Sequence, residues 1–200
     1  MLTVVTPSST HDLTVLATVK TELGITGTSD DDRLADYIRQ ASEMLAGWCC
    51  VPTFARETVA ETVRDLSKAP CIILSRDFEA TITSVVADGT TLVGTDYELD
   101  GALLYRLVDD ARSTWTARKV VVTYAAGFQL LGTLPYAIER AAIDLVVGLY
   151  RGAGRDQSIR SEQTEGVGET QYFDGRRRDV PPLAPDRLAA LERYRRPEIG

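Results

Sequence analysis

The sequence predicts an α+β protein: an N-terminal helix pair and a long central helix packed together, a small antiparallel β-hairpin unit inserted, and an extended loop with a short C-terminal helix. Three observations predict it. Leu34, Ile38, Ala41, Leu45 and Trp48 recur at spacings of four, three, four and three, the seam of an amphipathic helix. Residues 133–150, TLPYAIERAAIDLVVGLY, are apolar on both flanks of a single polar strip. Between them, residues 54–124 change to alternating β-branched and aromatic runs punctuated by Asp-Gly pairs.

The central helix organises the rest. Thr133 stands in N-cap position, and Pro135 falls in the first turn, where a missing N–H costs nothing. At 100° per residue, Glu139, Arg140, Asp144 and Arg151 share a strip about 140° wide. Leu134, Ile138, Ala141, Leu145 and Leu149 line one side, and Ile143, Val146, Val147 and Tyr150 the other. Such a helix is expected to touch neighbours on both flanks.

In chain order, residues 12–23 form a first helix with Leu13, Leu16, Val19, Lys20 and Leu23 on one side, ended by Gly24 in the left-handed region. Ser29 to Asp32 supply caps and negative charge for the second helix, which Pro52 closes. Its seam spans only about two heptads, too short for an autonomous coiled coil, so it packs on another helix. Asp88-Gly89 and Asp100-Gly101 mark hairpins; residues 119–124, KVVVTY, are a further strand, and residues 54–64 a weaker one. Asp109-Asp110 reads as a solvated turn. Residues 151–178 hold few sizeable apolar side chains, among them Tyr172 and Phe173, and cannot fold alone. Residues 186–195 form a last helix with Leu188, Leu191 and Tyr194 on its apolar side, marginal without a surface to dock on. The expected segments are 1–53, helix pair; 54–132, β insert; 133–150, central helix; and 151–200, loop and C-terminal arm.

With 200 residues and 44% hydrophobic content the chain can bury a core. No apolar run reaches the roughly 18 residues of a membrane span, and the N-terminus has no basic leader, so an intracellular product without membrane association is expected. Cys49, Cys50 and Cys71 lack ligand spacing or an even count, the pattern of buried reduced thiols. The net charge of −7 disfavours a protein that coats nucleic acid. Its distribution is bipolar: residues 1–100 carry 7 Lys/Arg against 16 Asp/Glu, and residues 101–200 carry 15 against 13.

No catalytic, cofactor-binding or metal-binding residue is assigned. His11 is the only histidine and lies in a polar stretch; no G-x-S-x-G elbow occurs, and the glycine pairs 152/154 and 166/168 lack a phosphate-loop motif. The aspartates 30–32 lack a calcium-loop spacing and read as cap residues.

The order of elements resembles the phage head-to-tail connector, or adaptor, family. The resemblance rests chiefly on the LPxxIxRAA helix and the RSExxxGVGxxxY loop, with weaker LxxVKxxLGI and DDxxLxxxIxxA segments, and covers nearly the whole chain. The β insert matches the longer members, which include adaptors of gene transfer agents. The resemblance implies a non-enzymatic protein of a virion or phage-like particle, assembled in the host cytoplasm. There it forms a ring, commonly of twelve subunits, between the portal protein and the next stopper or tail protein, and DNA passes through without specific binding. An acidic lumen would let DNA slide.

Within that reading the basic C-terminal segment is expected to act as an arm. Leu188, Leu191 and Tyr194 fill an apolar groove on the portal or a neighbouring subunit, Arg176, Arg177, Arg178 and Arg195 pair with carboxylates around it, and Tyr172 and Phe173 lie on the loop that leads to it. The alternative is a small DNA-packaging or regulatory DNA-binding module using the N-terminal helix pair. The exposed positions of the second helix, Asp31, Asp32, Asp36 and Glu43 against Arg33 and Arg39, have the wrong sign for it.

Overall fold

The computed structural model describes residues 1–130, 132–153, 181–196 and, as backbone, 161–164 and 168–171. The elements in chain order are β1 (Leu2–Thr6), α1 (Leu16–Leu23), α2 (Asp31–Trp48), β2 (Glu57–Arg64), β3 (Ile72–Ile73), β4 (Thr81–Ala87) and β5 (Thr90–Thr91). They continue with β6 (Tyr97–Asp100), β7 (Leu103–Val108), β8 (Ala111–Ser113), β9 (Lys119–Ala126), α3 (Tyr136–Gly152), β10 (Ser161–Thr164), β11 (Gly168–Gln171) and α4 (Pro185–Leu191). The fold is α+β, with four helices and antiparallel sheets among the described residues.

The chain divides into two compact units. Met1–Thr10 joins Phe54–Gly132 in a β unit, and His11–Thr53 joins Thr133–Gly200 in a helical one. The sequence segmentation placed the first ten residues with the helix pair; in the structure β1 is instead a strand on β2. Its apolar residues are too few, and its faces too exposed, for the alternation to stand out.

In the β unit a five-stranded antiparallel sheet runs β1-β2-β9-β4-β5. A smaller sheet runs β3-β7-β6, and β8 shares with β3 the side of β7 away from β6. Period-two alternation decides which face is buried: Val120, Val122, Tyr124 and Ala126 of β9 point inward, with Val121, Thr123 and Ala125 between them. Both sheets contribute to one core, in which Val59, Val85 and Val122 meet Ile72, Leu104 and Trp115. The Trp115 indole N–H donates to the Leu104 carbonyl at 3.0 Å, which satisfies the one polar atom the ring carries inside.

The turns follow local chemistry. Asp88 and Gly89 have φ of 48° and 88°, the two left-handed residues of a tight I′ hairpin between β4 and β5. Asp109 and Asp110 do the same between β7 and β8 without a glycine, at 51° and 61°. Gly127 is forced for another reason: its φ is 107°, and a Cβ there would lie 2.3 Å from the Ala55 carbonyl oxygen. The close approach lets Phe128 N–H reach the Phe54 carbonyl at 2.7 Å, beside a stack of Phe54, Phe78 and Phe128.

In the helical unit α3 packs against α1, α2 and α4. Leu34, Ile38, Ala41 and Leu45 of α2 are buried as the seam predicts, with Trp48 only half-buried. Ile138, Ala141, Leu145, Ile143 and Val146 bury both flanks of α3. The helix begins at Tyr136 with Pro135 at the cap and no side-chain cap bond, so Thr133 is not the cap. Residues 12–15 also lie outside α1, although Leu13 is buried and its N–H donates to Ser42 Oγ. Gly24 ends α1 at φ 69° with its N–H and that of Ile25 turned back to Thr21 and Lys20 carbonyls.

Candidate assembly surfaces

The polar strip of α3 is the hub of an ion-pair chain inside the helical unit. Arg140 donates to both carboxylate oxygens of Glu22 at 2.9 and 2.8 Å and lies 2.8 Å from Asp144, whose other oxygen accepts from Arg187 Nε of α4 at 3.0 Å. The Arg140 guanidinium accordingly holds the Glu22 carboxyl below its usual range. Asp30, Asp31 and Asp32 make no side-chain cap; Asp31 pairs with Lys20 at 2.6 Å, and Asp30 accepts from the Tyr150 hydroxyl.

This arrangement extends to the C-terminal helix. Leu191 is fully buried and Leu183 nearly so, and α4 packs on α3. The Arg196 N–H donates to the Cys49 carbonyl, and Arg195 sits 5.5 Å over the Trp48 ring. Leu191 is thus buried within its own helical unit. Leu188 and Tyr194 are half-buried and Arg195 is exposed. The remaining partner-facing expectations, Tyr172, Phe173, Arg176, Arg177 and Arg178, lie outside the described residues.

The β unit contains a polar network that local sequence patterning did not single out. Glu57 and Glu61 lie on the inward face of β2 and are buried. Arg76 pairs with Glu57, which also accepts from the Ser8 N–H. Glu61 accepts from the Tyr124 hydroxyl at 2.8 Å and from Ser75 through its hydroxyl and its N–H. Burial, then the neighbouring Glu61 carboxylate, pushes the Tyr124 phenol up. The only hint in sequence is a glutamate at each inward position flanking Val59, and the partners that stabilise them are 14 to 63 residues away. Two buried carboxylates could suggest acid–base chemistry. Here each is held by donors that tie Ser8, β2, β9 and residues 75–76 together, which is a clamp.

Outward, the surface is apolar in places. Met1, Val4, Val5, Ile73, Val93 and Val108 of the β unit are exposed, as is Tyr136 at the start of α3. The outer face of the main sheet presents Thr58, Ala60 and Thr62 beside Val121, Thr123 and Ala125, an uncharged strip. Among the described residues no strand pairs with the outer edge of β1. Among the described residues no group of three metal-ligating side chains occurs, and no helix is long and apolar enough to cross a membrane.

Comparison with known proteins agrees with that geometry. Residues 14–88 match the family of phage gp6-like head-tail connector proteins. The matched segment includes α1 and α2 and runs through β2 and β3 to the end of β4. Among curated proteins no sequence matches the chain. Solved structures share the fold over its whole length. A chain from the neck of an empty GTA particle, computed with C6 symmetry, is 18% identical with a TM-score of 0.60. One from the virion of a native gene transfer agent particle is 17% identical with a TM-score of 0.61. Another, from the neck of the native particle computed with C12 symmetry, is 16% identical with a TM-score of 0.60. In each case the match covers 100% of this chain and 97% of the other.

Proposed function

We infer that the protein is a structural head-tail connector of a tailed phage or gene transfer agent particle. The family match over residues 14–88 carries this reading. The fold shared with neck chains along the full length supports it, as does a chain whose described residues are organised into packed units with apolar outer surface. The symmetries of those necks, C6 and C12, favour a closed ring of twelve copies here. In this reading one rim of the ring meets the portal and the other meets the next stopper or tail protein. DNA runs through the lumen without specific binding, and the ring is added to heads in the host cytoplasm.

The partner-facing residues are Arg176, Arg177, Arg178, Tyr172, Phe173 and Arg195, with the half-buried Leu188 and Tyr194; Leu191 is buried within its own helical unit. Electron microscopy of particles and of the purified protein tests the reading. Rings at the neck, and DNA-filled but tailless heads when the gene is deleted, are expected; normally tailed particles after deletion would refute it. Charge reversal at Arg176, Arg177 and Arg178 is expected to weaken joining more at low salt than at high salt.

A further inference from the structure

The main sheet of the β unit ends in an open strand with outward-directed hydrogen-bonding groups. Met1 and Thr62 exchange both backbone bonds, the Met1 amine donating at 2.9 Å and the Thr62 N–H at 2.7 Å. In an antiparallel pair the bonded positions alternate, so Thr3 faces Ala60 with its bonds, while Leu2 and Val4 turn their N–H and C=O groups away from β2. Nothing among the described residues pairs with that side. The edge lacks the usual protection: β1 carries no charged side chain and no proline, and Val4 and Val5 are 40% and 56% exposed.

A second feature of the same chain has the complementary deficit. Strands β10 and β11 pair over Ser161↔Gln171 to Thr164↔Gly168 and, among the described residues, pair only with each other. A lone two-stranded hairpin is marginal in water and gains stability when a third strand joins it. Its strands have four residues each, against five in β1.

We propose that the β10–β11 hairpin of one copy adds to the β1 edge of the next copy, extending its five-stranded sheet across the subunit boundary. This rests on the ring reading above. Among the described residues of one chain both the edge and the hairpin lack a further strand, so a second copy supplies what each lacks. A head-to-tail ring needs two different, mutually complementary surfaces on every copy, and the edge and the hairpin are such a pair; a two-fold contact would need one surface matched to itself. Strand addition also explains an uncharged edge, since main-chain bonds give the affinity and a lysine would oppose it.

The test uses the full-length protein under conditions where rings form. Val4→Pro removes one outward N–H and none of the bonds to β2, and edge strands tolerate proline. Val4→Lys is the second variant. For both, the melting temperature is expected to match that of the parent, and ring yield to fall by about tenfold or more. For geometry, Val4→Cys in one tagged copy is combined with Glu162→Cys, Gln163→Cys, Glu169→Cys or Thr170→Cys in a differently tagged copy, with Cys50 and Cys71 replaced by serine. Oxidation of mixed rings is expected to join the two tags. Cross-links only within one copy, no cross-link in well-formed rings, or normal ring yield from both Val4 variants would overturn the proposal and leave the connector reading intact. Failure of the parent protein to form a ring in any preparation, including particles, would overturn both.

Discussion

Glu57 and Arg76 have side chains only 5% and 11% exposed, and the pair holds the N-terminal segment, β2 and the loop before β4 in one place. Breaking a buried pair strands the other charge, which costs about 3–5 kcal/mol. Arg76→Met is therefore expected to lower the stability of the β unit sharply in urea unfolding, and the double change with Glu57→Gln to recover part of the loss. Gly127→Ala is expected to be comparably severe, about 2–4 kcal/mol, because the methyl group meets backbone that cannot rotate away. Cys49 gives a pH signature. Burial pushes its thiol up to about 12. A raised folded-state value means that the unfolded chain releases the proton first, so this stability is complete below about pH 8.5 and is lost as pH rises toward 12. Thiol-reagent labelling at pH 8 is expected to modify Cys50 and Cys71 well before Cys49, and Cys49→Ala is expected to flatten the alkaline arm of the stability profile.

Elements differ in how far they could be read. The seam of α2 and the two-sided α3 were legible because helical periodicity survives over four or five turns. The two-residue turns were legible because φ above zero at both central positions restricts the residue type. Asp109-Asp110 fits that rule imperfectly, so Asp110→Gly is expected to stabilise the β7–β8 hairpin by about 0.5–1 kcal/mol in thermal unfolding. The C-terminal helix shows where pattern stops. Leu188, Leu191 and Tyr194 announce that α4 needs an apolar surface, but nothing local says whose. The structure assigns it to α3 through Leu191 and the Arg187 to Asp144 ion pair. Leu191→Ala is accordingly expected to cost about 2–5 kcal/mol. Truncation after residue 180 should destabilise the helical unit, observed as a lower melting temperature; an unchanged melt would return Leu191 to the list of partner contacts. The strand β1 and the Glu57–Glu61 clamp were illegible for the converse reason, since what defines them is distant in the chain: β1 pairs with β2 beyond both N-terminal helices, and the partners of the two glutamates lie 14 to 63 residues away.

At the scale of the whole molecule the charge decides how the protein treats DNA. The net charge is −7, and the described arginines that stand out are already committed to carboxylates. Arg76 is held by Glu57, Arg112 by Glu98 and Asp100, Arg140 by Glu22 and Asp144, and Arg187 by Asp144. An arginine bound in this way releases no counterions from a duplex, because binding phosphate would first require it to leave its carboxylate. On α2, Asp36 and Glu43 face solvent where a recognition helix would present cations. In the proposed ring, arginines committed in this way would leave DNA free to slide, because they do not hold the phosphates at one register. The expected outcome is no measurable affinity for duplex DNA in a fluorescence-anisotropy titration at physiological salt, for ring and subunit alike. Sub-micromolar binding with a steep dependence of log K on log salt would instead mean that unpaired arginines, Arg176 to Arg178 first among them, grip the duplex. Charge reversal there would then abolish binding, and the DNA-binding alternative would replace the passive channel.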